Sequence, residues 1–255
     1  MDSLEHSSSR TFDLLARRLE GVPYTSAERG RLLYDFVCHS RSSSILELGC
    51  AHGVSTCYLA GGLDTRADGR GSIQTMDLAN SFDREPNLFE LLDRTGLGEY
   101  VTAEFDNRGY LWTLYEAIAS STSRHGVCKP KFDFCFLDGA HSWATDGCAF
   151  FLVDKLLRPG GWILFDDLTW TFGTSRILGG SPRVRAMTAE ERDTPQVGAV
   201  FDLLVSQHPQ YETLRWENWG WARKRQVKRE TPEFGWPQLV SLLPQGHAGS
   251  SHEGT

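Results

Sequence analysis

From Ser44 onward, short apolar runs alternate with stretches whose apolar residues recur at helical spacing. The runs Ser44–Leu48, Ser72–Asp77, Tyr100–Phe105, Phe132–Leu137 and Gly161–Phe165 have the length of strands. Between them lie helical patterns near Ser55–Ala60, Pro86–Arg94, Tyr110–Ser120 and Ser142–Leu157. Crossovers of this length let successive strands run parallel, so a parallel sheet with helices packed on it is expected. Ahead of it, Thr11–Glu20 and Ser26–Ser40 read as amphipathic helices; the second places Leu32, Leu33, Phe36 and Val37 on one side, with Ser26 as its cap. After the fifth strand the pattern changes. Val197–Gln207 reads as a helix, then Tyr211–Trp216 and Trp219–Arg223 as strands split only by Glu217 and Asn218, a hairpin that turns the last strand antiparallel to its neighbours. The segment Thr171–Thr194, with Gly173, Gly179, Gly180 and Pro182, is too long for an idle connection and is expected to form a lid or substrate loop.

Composition narrows the picture. The 255 residues suit one large α/β domain with small additions. Residues 1–40 are expected to cap a substrate or make an oligomer contact, residues 41–238 to form the main domain, and residues 239–255 to be a disordered tail. A formal net charge of −7 argues against a general grip on nucleic acid. The one dense basic cluster (Arg223, Lys224, Arg225, Lys228, Arg229) reads as a solvated strand end. No stretch is apolar enough to span a bilayer, and Met1–Arg10 carry no apolar signal core, so no membrane contact and a cytoplasmic location are expected. Cys38, Cys50, Cys57, Cys128, Cys135 and Cys148 form no C-x-x-C pair and read as reduced, mostly buried thiols.

The first strand runs into Glu47-Leu48-Gly49-Cys50-Ala51-His52-Gly53-Val54-Ser55 and opens a helix. Doubly wound sheets bind nucleotide-like ligands at such a loop, and Gly49 and Gly53 let backbone pass close to one. The dinucleotide spacing G-x-G-x-x-G is absent, and Glu47 suits a cationic ligand better than a diphosphate. Asp77, ending the second strand, can accept ribose hydroxyls or cap a turn. Asp106, after the third, can reach an adenine edge, in competition with Glu104 and Asn107. His52 has no assigned role. The stretch Glu-Leu-Gly-x-x-x-Gly-x-Ser resembles the first motif of class I S-adenosylmethionine-dependent methyltransferases of the catechol O-methyltransferase-like branch. That resemblance implies a Rossmann-like seven-stranded, mostly parallel sheet with helices on both faces and an antiparallel C-terminal strand. It implies S-adenosyl-L-methionine as cofactor, with Glu47 near the methionine amino group, Ser55 near its carboxylate and Asp77 on the ribose.

The most informative stretch is Leu137-Asp138-Gly139-Ala140-His141, followed at the end of the next strand by Phe165-Asp166-Asp167. Parallel strands about 5 Å apart bring these acids to one edge, where they resist ionising together unless a cation joins them. Oxygen ligands of this kind suit Mg²⁺, with Mn²⁺ or Ca²⁺ as alternatives; the other reading is strand-end acids satisfied by backbone N–H groups. The pattern is similar to catechol O-methyltransferases and to sugar O-methyltransferases of macrolide and aminocoumarin pathways, which implies Asp138, Asp166 and Asp167 as metal ligands, with Asp138 also beside the cofactor. His141 falls where the catechol enzymes carry their catalytic Lys. An imidazole there is a natural general base, and the helix N-terminus behind it should disfavour its charged form. Trp170, Phe172, Trp219 and Trp221 are candidates for a pocket wall or for core. The expected activity is metal-assisted methylation of a hydroxyl on a small molecule, a natural-product sugar or phenol. The alternatives are a metal-independent N- or C-methyltransferase and an inactive cofactor-binding scaffold.

Overall fold

A computed structural model describes residues 11–66, 69–175 and 178–226. Residues 11–18 form helix α1, followed by α2 (Ala27–His39), capped by the Ser26 side chain. The alternation continues as β1 (Ser44–Leu48), α3 (Val54–Thr65), β2 (Ser72–Asp77), α4 (Leu88–Thr95), β3 (Val101–Phe105), α5 (Tyr110–Ser121), β4 (Phe132–Leu137), α6 (Trp143–Leu156) and β5 (Leu157–Phe165). Short helices α7 (Pro182–Arg185), α8 (Ala189–Asp193) and α9 (Gln196–Val200) precede β6 (Tyr211–Trp216) and β7 (Trp219–Lys224).

The seven strands lie in the order β3-β2-β1-β4-β5-β7-β6. β1 to β5 pair in parallel, and β7 runs antiparallel to both β5 and β6. The expected Rossmann-like sheet is therefore the observed one. Side chains alternate between faces along each strand. Ile45, Phe134, Phe136 and Leu164 join a core with Tyr34, Tyr58 and Leu59 of α2 and α3, while Leu46, Leu48, Cys135, Leu137, Ile163 and Phe165 join one with Leu114, Phe150 and Val200. Both faces of the central strands are covered, which is why β1 and β4 are mostly apolar, interrupted by Glu47 and Asp133. Phe12, Leu15 and Leu19 are buried with Tyr34 and Tyr58, so the N-terminal helices are part of this core.

Two elements differ from expectation. β5 starts at Leu157 and carries the turn residues Arg158-Pro159-Gly160-Gly161 within it, with a register shift opposite Phe132 and Phe134. A Cβ on Gly161 would sit 2.9 Å from the Asp133 carbonyl oxygen, so the irregular strand passes where only glycine fits. The helix expected over Val197–Gln207 is α9 followed by a wider, π-type turn at Phe201–Val205. That turn seats the Phe201 ring where a Cβ on Gly220 of β7 would lie 2.5 Å away.

Of the basic cluster, Lys224 pairs with Asp154 at 3.0 Å, Arg225 with Glu212 at 3.6 Å, and Arg223 lies over the Trp162 ring. These charges are used within the fold; Lys228, Arg229 and the expected tail over 239–255 lie outside the described residues. All six cysteines are free, with Cys50, Cys57 and Cys135 buried, Cys38 and Cys128 half-buried and Cys148 exposed. Among the described residues, no helix is long and apolar enough to cross a membrane.

Candidate functional site

β1, β2 and β4 end at the same edge of the sheet, and the loop from Gly49 to Gly53 lies across it. Gly49 has φ +90°, and a Cβ there would sit 2.1 Å from the Asp138 carbonyl oxygen; Gly53 has φ +97°, with Leu88 Cδ1 at 2.4 Å from its would-be Cβ. Both glycines are thus demanded by left-handed backbone and by protein packing, before any ligand is considered. Asp77 anchors the loop. Its Oδ2 accepts from the N–H groups of Cys50 and Ala51, each at 2.9 Å, and its Oδ1 from Leu78 N–H at 2.7 Å. A carboxylate has about four acceptor positions, so Asp77 retains capacity for one further donor rather than for both ribose hydroxyls.

Glu47 lies beneath the loop with no exposed surface. It accepts from Ser55 Oγ at 2.7 Å, Thr56 Oγ1 at 2.5 Å and Thr75 Oγ1 at 2.7 Å. Burial pushes its carboxyl up to about 7, against the pull of those three hydroxyls. The Ser55 hydroxyl is therefore spent on Glu47. The backbone of the same turn remains suited to an anion, because the N-cap of α3 is Gly53, which has no side chain to cap the first N–H groups. His52 is nearly buried, with Nδ1 2.6 Å from the Pro86 carbonyl and its ring 5.6 Å from that of Tyr24. Asp106 is held by Arg108 through its backbone N–H at 2.7 Å and its guanidinium, which keeps the carboxyl down at about 2. Glu104 accepts from Gln74 Nε2.

β4 and β5 bring the acids together as expected: Asp138 N–H donates to Leu48 O of β1, and Asp166 N–H to Leu137 O of β4. The side chains then divide. Asp138 Oδ1 lies 3.5 Å and Asp167 Oδ2 3.1 Å from His141 Nε2. Asp166 instead accepts from Arg29 Nη1 of α2 at 2.8 and 3.1 Å, from Trp219 Nε1 at 2.6 Å and from Asp167 N–H at 2.6 Å. Within the three-acid set expected from the chain, Arg29 Nη1 thus pairs most closely with Asp166 and also lies 3.5 Å from Asp167 Oδ1. The candidate cation group is Asp138, His141 and Asp167, whose ligand atoms lie within 4.8 Å of one another. The two carboxylates fit a divalent cation such as Mg²⁺ or Mn²⁺, and the single lone pair on His141 Nε2 can either bind that cation or accept a proton.

The electrostatics follow from this layout. Burial pushes Asp138 well above the usual carboxylate range, and the neighbouring Asp166 adds to it. Burial and Asp167 raise Asp166 to about 6 despite Arg29. Burial also opposes the charge on Asp167, but His141 and Arg29 outweigh it and lower its pKa. His141 Nδ1 lies 2.8 Å from the Gly139 carbonyl, which can only accept, so this nitrogen carries the hydrogen and Nε2 faces the carboxylates. Burial disfavours the imidazolium, yet the hydrogen bond to Asp167 and the charges of Asp138, Asp167 and Asp146 lift His141 to about 9. The expectation that the helix N-terminus keeps this ring neutral is corrected here. The charged Asp167 carboxylate at hydrogen-bond range outweighs the roughly half-charge of a helix end.

Of the aromatic candidates, Trp170 lies 4.9 Å from the His141 ring, and the buried Phe172 packs edge-on behind Trp170 at 4.9 Å. Trp219 holds Asp166, and Trp221 is core, packed with Phe36, Phe134 and Trp162. The β6–β7 turn also joins the site: Asn218 donates to Asp167 Oδ1 at 2.9 Å and accepts from Thr169 N–H at 2.7 Å. Arg29 and Asn218 are missed by sequence reading. An arginine in the first turn of an amphipathic helix and an asparagine in a hairpin turn look like solvated residues.

Residues 46–168 match a family model described as a methyltransferase domain. No curated protein matches the chain. Among solved structures, the chain is similar to an O-methyltransferase from Bacillus cereus in complex with S-adenosylhomocysteine, at 20% identity, TM-score 0.58, covering 86% of this chain and 91% of that one. It is similar to the O-methyltransferase TomG from Streptomyces achromogenes, involved in tomaymycin synthesis and bound to S-adenosylmethionine, at 18% identity, TM-score 0.55, covering 84% and 89%. The S-adenosylhomocysteine-bound methyltransferase PaMTH1 from Podospora anserina matches at 17% identity, TM-score 0.56, covering 86% and 88%.

Proposed function

We propose that this chain is a class I S-adenosylmethionine-dependent methyltransferase, a reading supported by its match to a methyltransferase-domain model over residues 46–168, and that it methylates a hydroxyl oxygen of a small molecule with a divalent cation in its acceptor site. The observation that carries this reading is the convergence of Asp138, His141 and Asp167 at the sheet edge beside the Gly49–Gly53 loop. The cofactor supplies an already activated methyl group on a sulfonium, so the protein's tasks are to align the acceptor oxygen and remove its proton.

The first turn of α3 offers backbone N–H groups to the cofactor carboxylate, Glu47 supports that turn from below, and Asp77 holds the loop with one acceptor position left for a ribose hydroxyl. Asp138 and Asp167 would hold the cation. Asp166 joins them only by giving up Arg29. Placed among these carboxylates, the cation would make an acceptor hydroxyl more acidic and relieve the pull that otherwise keeps His141 protonated. His141 Nε2 is the proton-accepting atom, because Nδ1 is committed to Gly139. Trp170, backed by the buried Phe172, walls the acceptor side, which suits a planar or sugar-like ring.

One observation favours a second reading. Arg29 already offsets the charge of Asp166, which would let a metal-independent methyltransferase work with the same residues. A single experiment separates them: transfer of labelled methyl from S-adenosylmethionine to a panel of phenols, sugars and amines, run in EDTA and after adding Mn²⁺ or Mg²⁺. The proposal expects product on hydroxyl acceptors that disappears in EDTA and returns with the cation. Undiminished transfer by metal-free protein leaves the second reading, and amine-only transfer refutes the oxygen acceptor.

A further inference from the structure

The loop from Asp138 to Ser142 carries both groups that face the acceptor, yet it is an awkward piece of backbone. His141 has φ +53°, a left-handed conformation that a non-glycine residue holds only when its surroundings impose it. What imposes it comes from the start of α5 and the first turn of α6. Tyr110, the first residue of α5, is buried, and its hydroxyl accepts from Ala140 N–H at 3.0 Å. The same hydroxyl donates to Asp146 Oδ1 at 2.5 Å. Asp146 has no exposed surface, and its Oδ2 accepts from Ser142 N–H at 2.8 Å. The Tyr110 ring also presses on the loop from the side, since a Cβ on Gly139 would lie 2.5 Å from Tyr110 Cε1. Two side chains thus take the N–H groups on either side of His141 and fill the space against Gly139.

We propose that Tyr110 and Asp146 are positioning residues for the acceptor site: a buried phenol–carboxylate clamp that holds the Asp138–Ser142 loop so that Asp138 and His141 face Asp167. Neither residue touches that centre's ligand atoms in the hydrogen-bond pattern above, so both act through the loop backbone. The clamp is separate from the cofactor loop, which Asp77 anchors through Cys50 and Ala51. Disturbing it should therefore alter the acceptor site and leave cofactor binding alone. A buried acid in the first turn of a helix is stabilised where it stands. Its function here is geometric: it supplies an acceptor for Ser142 N–H and another for the Tyr110 hydroxyl, whereas a carboxamide has one acceptor oxygen and can keep only one of these two bonds.

The inference rests on the metal-assisted reading for its first readout, and the experiment keeps the two apart. Mn²⁺ affinity is measured by electron paramagnetic resonance on the full chain saturated with S-adenosylhomocysteine, for wild type, Tyr110→Phe, Asp146→Ala and Asp146→Asn. Calorimetric S-adenosylhomocysteine affinity and melting temperature are measured alongside. Tyr110→Phe and Asp146→Ala should weaken Mn²⁺ binding by about 10- to 100-fold, the usual effect of losing an outer-shell partner. S-adenosylhomocysteine affinity should stay within about twofold, and Asp146→Asn, which keeps one of the two acceptor contacts, should recover part of the Mn²⁺ affinity lost in Asp146→Ala. Unchanged Mn²⁺ affinity in Tyr110→Phe and Asp146→Ala overturns the clamp. So does a parallel fall of cofactor affinity and melting temperature, which would mark ordinary core damage, or failure of Asp146→Asn to recover, which would mark a role for charge. If wild type itself binds no Mn²⁺, the metal reading fails, and the clamp is tested by amide exchange. Ala140 and Ser142 should exchange faster in Tyr110→Phe while Cys50 and Ala51 keep their protection; equal protection of all four in wild type and variant overturns it.

Discussion

Replacing Glu47 by Gln isolates the cost of burying an ionisable group beneath the cofactor loop. The carboxyl has no exposed surface and its pKa rises from 4.5 to about 7. That rise is worth about 3 kcal/mol, at about 1.4 kcal/mol for each tenfold change in proton affinity. The sign follows from proton counting. Between pH 4.5 and about 7 the folded chain holds a proton that the unfolded chain has released, so this group's contribution to stability falls as pH rises through that window and levels off above it. Gln cannot titrate, and at the acid end it is nearly isosteric with protonated Glu. The hydroxyls of Ser55, Thr56 and Thr75 can each donate or accept, so they can adapt to a carboxamide. The assay is urea unfolding of cation-free protein without cofactor, across pH 4.5 to about 8, for wild type and variant. The stability of Glu47→Gln relative to wild type should rise by about 3 kcal/mol across the window, the ionisations common to both proteins cancelling in the difference. Parallel pH profiles would refute the reasoning, because they would mean that the hydroxyl cage fully compensates for burial.

Three further outcomes follow from the same geometry. Arg29→Met should leave Asp166 buried without its cation and cost about 1–2 kcal/mol in urea unfolding, below the usual value for a buried pair because Arg29 is partly exposed; no loss would mean that Trp219 and the backbone suffice for Asp166. In EDTA, the stabilisation from protonated His141 should be fully present below pH 6.5 and disappear as pH rises through about 9. Melting temperatures of wild type and His141→Gln should accordingly converge toward the alkaline end, and a constant gap would contradict the assignment. Gly49→Ala should destabilise the fold by about 2 kcal/mol or more and abolish S-adenosylhomocysteine binding, since the residue is left-handed and the added Cβ meets the Asp138 carbonyl at 2.1 Å; unfolding and calorimetry check it, and a stable variant that binds normally would show that the loop can shift.

Much of the architecture was legible in the chain because its cause is local. Mostly apolar runs mark strands buried on both faces, helical spacing marks the crossovers, and a two-residue connection at Glu217 and Asn218 forces an antiparallel return. Parallel strands ending in Asp138 and Asp166 must bring those residues to one edge, so the neighbourhood of the acids could be read without coordinates. Boundaries were less legible where tertiary packing overrides the pattern, as where β5 absorbs Pro159, Gly160 and Gly161.

The division of labour within the site was decided only by the tertiary structure. Sequence order places three acids together but is silent on a guanidinium from a helix 137 residues earlier, and Arg29 is what neutralises Asp166 while also reaching Asp167. It places His141 at a helix start, where the dipole alone would keep it neutral, but not the carboxylate oxygens at 3.1 and 3.5 Å that reverse the outcome. Asp146 and Tyr110 look like ordinary helix residues until the fold folds them under the same loop. Local propensity and strand direction act through neighbours in sequence, whereas the charge state of a buried group depends on what lies within a few ångströms in space, and that is set by packing between elements remote along the chain.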